Sequence, residues 1–530
     1  MNTTAAPSLR TLPRRQVVIT FIGVMLAMFL GSLDQTVVGT AMPRIVADLG
    51  GFSQYTWITS AYIITSAVTI PIVGKLTDMY GRKLFYIAGL LIFSLTSLAS
   101  GFADSMNLLI LLRGIQGIGA GVMMANAFTV IGDLFPPVDR GKYQGYMSGV
   151  FGISSVIGPT LGGFLTDNLS WHWVFFVNVP LGLLVIILFL RFFPNLKPQA
   201  LHHNVDYLGL SCLVVSILPL MLALSWAGVE YPWGSGVIIG MFVFAAAMIG
   251  LLLFIESRAA EPIIPLGLFK NRIVSVSLII TFLTGIGMFG TIIFIPLYFQ
   301  GVLGATATTS GTFLMPMMLG VVFGSFVSGQ LLSRAGGHYR LLGFVGLAVM
   351  AVGIFLLSRM NAETSYGMAV TNIIITGLGL GSTMPLYMIS VQNAVPYEIL
   401  GVATASSAFF RSLGGAVGLS ILGSIMNNRF AADFTASLPA QVKAVIPADQ
   451  LSALASNPQA LVSPDAQAQL AKMVSGAGTN GPAVLEQLLQ TLRDALSSSL
   501  GHVFLIGMVI VAVSFVINAF IKEIPLRKTH

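Results

Sequence analysis

Nineteen carboxylates occur in this 530-residue chain, and one of them, Asp34, falls deep inside a long apolar stretch. An ionisable group in such surroundings is a functional candidate by default, because placing it there is costly. Asp133, Asp206 and Glu256 fall at stretch ends, and the remaining carboxylates lie in loops or tails. Two arginines, Arg113 and Arg411, are embedded as well. If the stretches are helices rising ~1.5 Å per residue, Asp34 reaches ~24 Å into an apolar layer ~30 Å thick. Arg113, on a stretch running the opposite way, stands at ~21 Å on the same scale, so the two are level. Arg411 enters from the same side as Asp34 and stands near ~14 Å, mid-layer. A neighbouring guanidinium favours the charged form of a carboxylate, and burial favours the neutral form. A site whose balance shifts as its surroundings open and close can take up and release a proton. Held rigid, the same pair is a static ion pair joining two helices, and the residues alone leave both readings open.

Other chemistries find little support. No GxxxxGK[ST] phosphate loop occurs, so nothing points to ATP as a driving force. Gly285-Ile286-Gly287-Met288-Phe289-Gly290 fits the GxGxxG pattern, but no strand precedes it and no acidic ribose ligand follows, so it reads as helix packing. No group of His, Cys and carboxylate has metal-site spacing, and the single Cys212 excludes an internal disulfide. The expectation is no metal and no cofactor.

The elements that must position these residues follow from composition. Charged residues are 8% of the chain and hydrophobic ones 55%, where an ordinary soluble domain has roughly 25% charged. Fourteen apolar runs of membrane-spanning length start near residues 17, 55, 83, 107, 142, 172, 206, 235, 273, 309, 340, 367, 402 and 500. They predict an all-α polytopic membrane protein in which Pro296, Pro316 and Pro385 bend spans rather than end them. Arg14, Lys75, Arg82, Lys83, Arg140, Arg272 and Lys522 fall on one side of the layer, and the short loops opposite hold only Arg44 and Arg359. By the positive-inside bias, both termini are expected in the cytoplasm. The net charge of +7 is thereby the mark of a membrane face and calls for no nucleic acid.

The chain also repeats itself. The run from Gly74 to Lys83, with Asp78, Gly81 and Arg82 inside it, returns in worn form from Gly329 to His338. Arg113-Gly114-Ile115-Gln116-Gly117 is echoed from Thr376 to Gly381, and Pro137–Gly141 from Pro396 to Gly401. One repeat at this scale suggests two related halves around a central path, the plan of a secondary transporter. The expected division is a six-helix bundle over 1-200, two additional helices with linkers over 201-270, and a second six-helix bundle over 271-530. The last includes a long extracytoplasmic segment, 428-499. There Ser463-Pro464-Asp465 reads as a helix start, and Leu485, Leu488, Leu489, Leu492 and Leu496 form an apolar stripe. That segment either covers the outer mouth, lies on the membrane, or is a solvated loop. Gly117/Gly121, Gly145/Gly149 and Gly158/Gly162 have the four-residue spacing that lets helices approach closely. Pro159, among Gly158, Gly162 and Gly163, favours a bend, and tight packing alone and a pliable seam are both open readings of it.

Taken together and in order, these residues resemble the major facilitator superfamily, specifically its fourteen-span drug:proton antiporter branch, the EmrB/QacA subfamily. Leu33-Asp34-Gln35-Thr36-Val37-Val38 is similar to that branch's first-span signature, and 74–83 to the superfamily's loop between spans two and three. Arg113–Gly117 is similar to the fourth-span motif, Gly158–Gly163 to the antiporter motif, and Trp171–Pro180 to the sixth-span signature. Gly39 and His172 depart from the pattern, where the branch usually has Asn and Arg. Arg411 stands in a span where several members carry acidic residues, which disfavours a divalent cationic substrate.

The resemblance implies the major facilitator fold, two six-helix bundles plus two extra transmembrane helices, rocking around a central cavity. It implies an antiporter rather than an enzyme, with Asp34 carrying the proton, Arg113 tuning it, and the proton gradient as energy source. Gly74, Asp78, Gly81, Arg82 and Lys83 would form a cytoplasmic latch, Asp78 pairing with cations or helix N-termini across the halves. Tyr62, Met123, Asn126, Phe289, Phe294, Tyr298, Met315, Met384, Tyr387, Gln392, Phe410 and Arg411 are the cavity candidates, since Met and aromatic side chains suit promiscuous binding. The expected partners are a small amphipathic, drug-like substrate and the lipid bilayer of a bacterial inner membrane. The alternative is export of a specific lipid, siderophore or metabolite, with 428-499 meeting an envelope partner.

Overall fold

The computed structural model describes residues 13–49, 57–194, 206–228, 230–259, 261–304, 307–334, 338–455 and 481–526. Among them are fourteen helices long and apolar enough to cross a membrane. They are α1 (Arg14–Leu49), α2 (Trp57–Tyr80), α3 (Arg82–Ser100), α4 (Met106–Leu134), α5 (Pro137–Asn168), α6 (Trp173–Phe192) and α7 (Tyr207–Trp226). The chain continues through α8 (Gly236–Glu256), α9 (Arg272–Gly301), α10 (Ala307–Arg334), α11 (Tyr339–Ser358), α12 (Tyr366–Ala394), α13 (Leu400–Ser437) and α14 (Gly481–Asn518). In hydrocarbon, helices are the form in which an apolar run satisfies its own backbone, and no named strand occurs among the described residues. Pro71, Pro159, Pro219, Pro296, Pro316 and Pro385 all lie inside helices that run through them. Polar side chains set several starts: Asp206, Ser235 and Asn271 accept the amides of Gly209, Ile238 and Ile273 at 2.8, 3.3 and 3.0 Å.

Side-chain packing follows the halves. One apolar core gathers Ile280, Tyr298, Met350, Tyr387 and Phe504 from α9, α11, α12 and α14. Two others, around Tyr86 and Phe93 and around Val37 and Val174, belong to α1–α6. A fourth lies where the halves meet: Leu213 and Ile217 of α7 pack with Val68 and Val73 of α2 and with Ala405 and Phe409 of α13. The additional pair, α7 and α8, thus leans on the seam between α2 and α13, while Val243, Phe244 and Phe254 of α8 face outward as lipid-facing residues do. With fourteen crossings, the start of α1 and the end of α14 share one side. We call it the basic face, because Lys75, Arg82, Lys83, Arg140 and Arg272 lie at its helix ends.

The opposite side departs from expectation. The last span does not begin near residue 500; α14 starts at Gly481 and runs unbroken into the apolar region, and α13 extends to Ser437. The stripe expected as a separate element is the first third of α14. Leu488, Leu492 and Leu496 are buried against Phe430 and Phe434 of α13 and against Val442, Leu451 and Leu454 of two short helices, Ala440–Val445 and Ala448–Ala455. A helical apolar stripe has no reason to stop at the membrane boundary when a partner stripe continues beside it. The described residues of 428-499 are therefore for the most part a packed helical extension rather than a solvated loop. Ser463-Pro464-Asp465 lies outside the described residues.

Candidate functional site

Asp34 is completely buried (0% exposed) and its carboxylate is ringed by three donors from two other helices. Arg113 Nη1 of α4 donates to Oδ2 at 2.6 Å. Gln116 Nε2, one turn further along α4, donates to Oδ1 at 3.0 Å, and Asn178 Nδ2 of α6 donates to the same oxygen at 2.8 Å. The spacing of Arg113 and Gln116, three residues apart, puts both on one face of α4. Arg113 is held in turn by Gln116 Oε1 at 2.8 Å and by the Ile58 carbonyl at 3.4 Å, with the Tyr62 ring 4.3 Å beneath its guanidinium. Asn178 also donates to Ser97 Oγ at 3.0 Å, which donates to the Phe175 carbonyl at 2.9 Å. The level match between Asp34 and Arg113 is thus a direct ion pair. It is a network rather than an isolated pair, and every donor in it is oriented by a second bond.

A second constellation closes the basic face between the halves. Asp78, at the end of α2, accepts the amides of Gly401 and Val402 at 3.0 and 2.7 Å, where α13 begins with unsatisfied N–H groups. Arg82 pairs with Asp78 one turn back, reaches Asp133 of α4 at 3.1 Å through Nε, and donates to Thr77 Oγ1 at 2.9 Å. Gly81 has φ 93°, a left-handed conformation open to glycine, and that turn brings Arg82 round to Asp78. A side chain at Gly401 would strike the Asp78 carboxylate, and one at Gly74 would meet Ala405. Lys83 does not belong to this contact. Its Nζ donates to the carbonyls of Leu190 and Phe193 at 3.1 and 3.0 Å, capping the end of α6 within its own half.

The α5 glycines divide their work. Gly141 and Gly145 lay the basic-face half of α5 against the backbone of Gly329 and Phe326 on α10, in the other half of the molecule. Gly158 and Gly162 turn the outer half of α5 onto Thr36, Val37 and Thr40 of α1, beside Asp34. Thr36 Oγ1 lies 3.3 Å from the Ser154 carbonyl across that same contact. Gly163 has open space beside it. Gly285, inside the GxGxxG run, packs on the Arg411 backbone within α9, as the helix-packing reading requires.

Residues 24–205 and 207–419 match the Major Facilitator Superfamily. The chain belongs to the major facilitator superfamily. In Bacillus subtilis, the multidrug transporter protein MdtP is 41% identical over 518 residues, covering 95% of this chain and 93% of the relative. Multidrug resistance protein 3 of the same organism is 36% identical and covers 96% of each chain. A double-tryptophan mutant of XylE shares the fold, with a TM-score of 0.62, 13% identity and 97% coverage of both chains. Fourteen spans and these relatives fit the fourteen-span drug:proton antiporter branch. This member of the superfamily is a multi-pass membrane transporter of small molecules, not an enzyme.

The structure sorts the cavity candidates of this major facilitator chain. Met384, Tyr387 and Arg411 line two narrow cavities of ≈ 20 and ≈ 10 Å³ at the middle of the fold, each with room for about one water. Tyr62 instead lies under Arg113, in the Asp34 network. Met123 belongs to the apolar core of its own half, and Asn126 is turned back onto the Val122 carbonyl. Phe294 and Tyr298 are core residues, the Tyr298 hydroxyl donating to the Asn361 carbonyl at 2.6 Å near the outer end. Phe289 packs on Gly415, and Phe410 stands edge-on to Phe269 and Phe409 beside the seam. Met315 is half-buried and lines neither central cavity. Large apolar side chains serve as packing far more often than as lining, and in this arrangement most of the candidates pack. Gln392 is a closing contact of the basic face: Arg140 donates to it at 3.4 Å, and it donates to the Phe128 carbonyl at 3.3 Å and to Thr404 at 3.1 Å. A roomier cavity, ≈ 400 Å³, lies at the ends of α11 and α14 away from the basic face, around Arg359, Asp494 and His502, among no candidate residue.

Sequence reasoning passed over Gln116, Asn178, Asp133 and Arg140 as individual actors. Three stand inside motifs already singled out, and Asp133 stood at a span end as a lone acid. Arg140, treated as a topological cation, donates to the carbonyls of Phe135 and Gly132 at 2.9 and 2.7 Å and so caps the end of α4.

Proposed function

We propose that this chain is a proton-driven antiporter that exports amphipathic, drug-like molecules from the cytoplasm or inner leaflet, with its basic face and both termini inside. One observation carries the reading: Asp34, the one deep carboxylate among the described residues, is sealed from water in a donor network at the joint between α1, α4 and α6. The names of the Bacillus subtilis relatives support drug export, and the family supports alternating exposure of a central cavity. In the arrangement described, the basic face is closed and the Asp34 oxygens accept from three donors. A proton reaching Oδ2 from the outer side takes the place of the Arg113 bond, and neutral Asp34 no longer holds α1 to α4. Because Gly158 and Gly162 seat α5 on α1 beside Asp34, and Gly141 and Gly145 seat the same helix on α10, loosening α1 loosens the closed basic face. The Asp78–α13 contact then breaks, the cavity opens inward, the proton leaves and substrate enters.

The test is uphill transport in proteoliposomes with an imposed pH difference. Asp34→Asn, which keeps the shape and two of the donors, is expected to abolish gradient-driven efflux while the protein stays folded and binds substrate. Wild-type efflux in that variant removes Asp34 from energy coupling.

A further inference from the structure

The mechanism above leaves one embedded charge unused. Arg411 of α13 stands between the two central cavities, and among the described residues it has neither an ion pair nor a hydrogen bond. No lining residue of either cavity is acidic. Asp34, the deep carboxylate, is already neutralised by Arg113 at 2.6 Å. The middle of the fold therefore carries one half-buried, uncompensated positive charge, in surroundings where a cation without a partner is unfavourable.

Two more groups at the same place are short of partners. Gln144 of α5 is 3% exposed, lines the first cavity with Arg411, and its Nε2 has no acceptor. Thr281 of α9 is 2% exposed, lines the second cavity, and its hydroxyl has no partner. With Arg411 unpaired, and Gln144 and Thr281 each unmatched in a cavity that it lines, the three groups mark the place of an absent acceptor, since buried polar groups are nearly always satisfied. They come from both halves of the molecule, α5 on one side and α9 and α13 on the other. Around them, Met147, Phe151, Met384 and Met388 offer an adaptable apolar wall.

Resting on the export reading, we propose that Arg411, Gln144 and Thr281 form the headgroup subsite of the transported molecule, and that this molecule is an amphipathic anion: a carboxylate, sulfonate or phosphate ester with an apolar body. The cavities, ≈ 20 and ≈ 10 Å³, are too small for such a body while the basic face is closed. The subsite is completed and emptied as the halves part and meet. A bilayer phospholipid headgroup has the same chemistry as a free amphiphile, and the test separates the two.

The full chain in nanodiscs is titrated with three pyrene probes that differ in headgroup: 1-pyrenebutyrate, neutral 1-pyrenebutanol and a pyrenyl trimethylammonium, with empty discs as blanks. In phosphatidylcholine discs the wild type is expected to bind pyrenebutyrate about tenfold or more tighter than pyrenebutanol, the gain of a charged hydrogen-bonded contact, and the cation weakest. Arg411→Gln should erase that preference while leaving pyrenebutanol binding in place, Arg411→Lys should retain part of it, and Gln144→Leu should weaken the anion several-fold. Equal or tighter binding of the neutral or cationic probe by the wild type, or no binding of any probe, overturns the proposal. So does an anion preference that survives Arg411→Gln. If a variant does not fold, the wild-type ranking alone decides. Weakened pyrenebutyrate binding in discs containing phosphatidylglycerol assigns the site to a lipid headgroup and upholds its anion chemistry. Unchanged binding assigns it to the free amphiphile. Asp34-dependent uphill efflux without anion preference leaves export standing and removes only the subsite, whereas Arg411-dependent anion binding without uphill efflux does the reverse.

Discussion

Asp34 and Arg113 hold each other in a place where neither tolerates being alone. The pair is buried to 0% and 1%, so removing one member strands the other charge among apolar helices. Breaking a buried ion pair from one side costs about 3–5 kcal/mol, whereas removing both charges together costs far less. Arg113→Met is therefore expected to lower the unfolding midpoint of the purified protein sharply, and Asp34→Asn combined with Arg113→Met is expected to recover most of that loss. Differential scanning fluorimetry in one detergent checks both. Strictly additive losses would mean that the two side chains do not depend on each other for burial. Gln116 and Asn178 act at the same scale. Each supplies a donor that no rotation of Arg113 can replace, so the carboxylate stays satisfied when one bond of the network lengthens.

Helices carry this local chemistry outward. α5 touches both the Asp34 neighbourhood and the opposite half, with Gly158 and Gly162 against α1 and Gly141 and Gly145 against α10. A side chain at Gly141 would sit inside the Gly329 backbone, and neither helix can yield without lifting away from the other. Gly141→Leu should hold the basic face open, and turnover in proteoliposomes should fall about tenfold or more, since an interface that cannot close blocks the cycle. Binding of substrate from the basic side should persist. A variant with wild-type turnover would show that this contact is not remade in each cycle. The outer extension is governed by the same rule of paired faces. Phe430 and Phe434 on α13 meet Leu488, Leu492 and Leu496 on α14, so both helices continue past the span that hydropathy alone delimits.

Across the whole molecule, the halves meet in the apolar seam of α2, α7 and α13 and at two further contacts, one made of charge and one made of glycine. Asp78 holds the start of α13 by two amides, and α5 lies directly on α10. Both lie on the basic face and both must part for the central cavities to enlarge. Lys142 at the end of α5 and Arg334 at the end of α10 are exposed on either side of this seam. Spin labels at Lys142→Cys and Arg334→Cys, in a Cys212→Ser background, should report a short distance matching the closed face. A longer population should grow when Asp78→Asn removes half of the carboxylate's acceptor capacity. A single unchanged distance in both proteins would argue against the latch. Much of this architecture was legible beforehand, because spanning a membrane imposes twenty-residue apolar runs and a one-sided distribution of cations, and both are visible in linear order. Asp34, Arg113 and Asp78 were legible too, since a charge inside an apolar run or repeated in two halves needs no coordinates to be noticed. The partners were not. That Gln116 and Asn178 complete the Asp34 network, that Gln392 and Arg140 close the basic face, that Phe294 and Tyr298 are core, and that Arg411 stands unpaired between two cavities all depend on which face of each helix meets which neighbour. A helix presents every side chain to some surface, and sequence records the order of those side chains but not the rotation and pairing of the helices, which packing between distant segments alone decides.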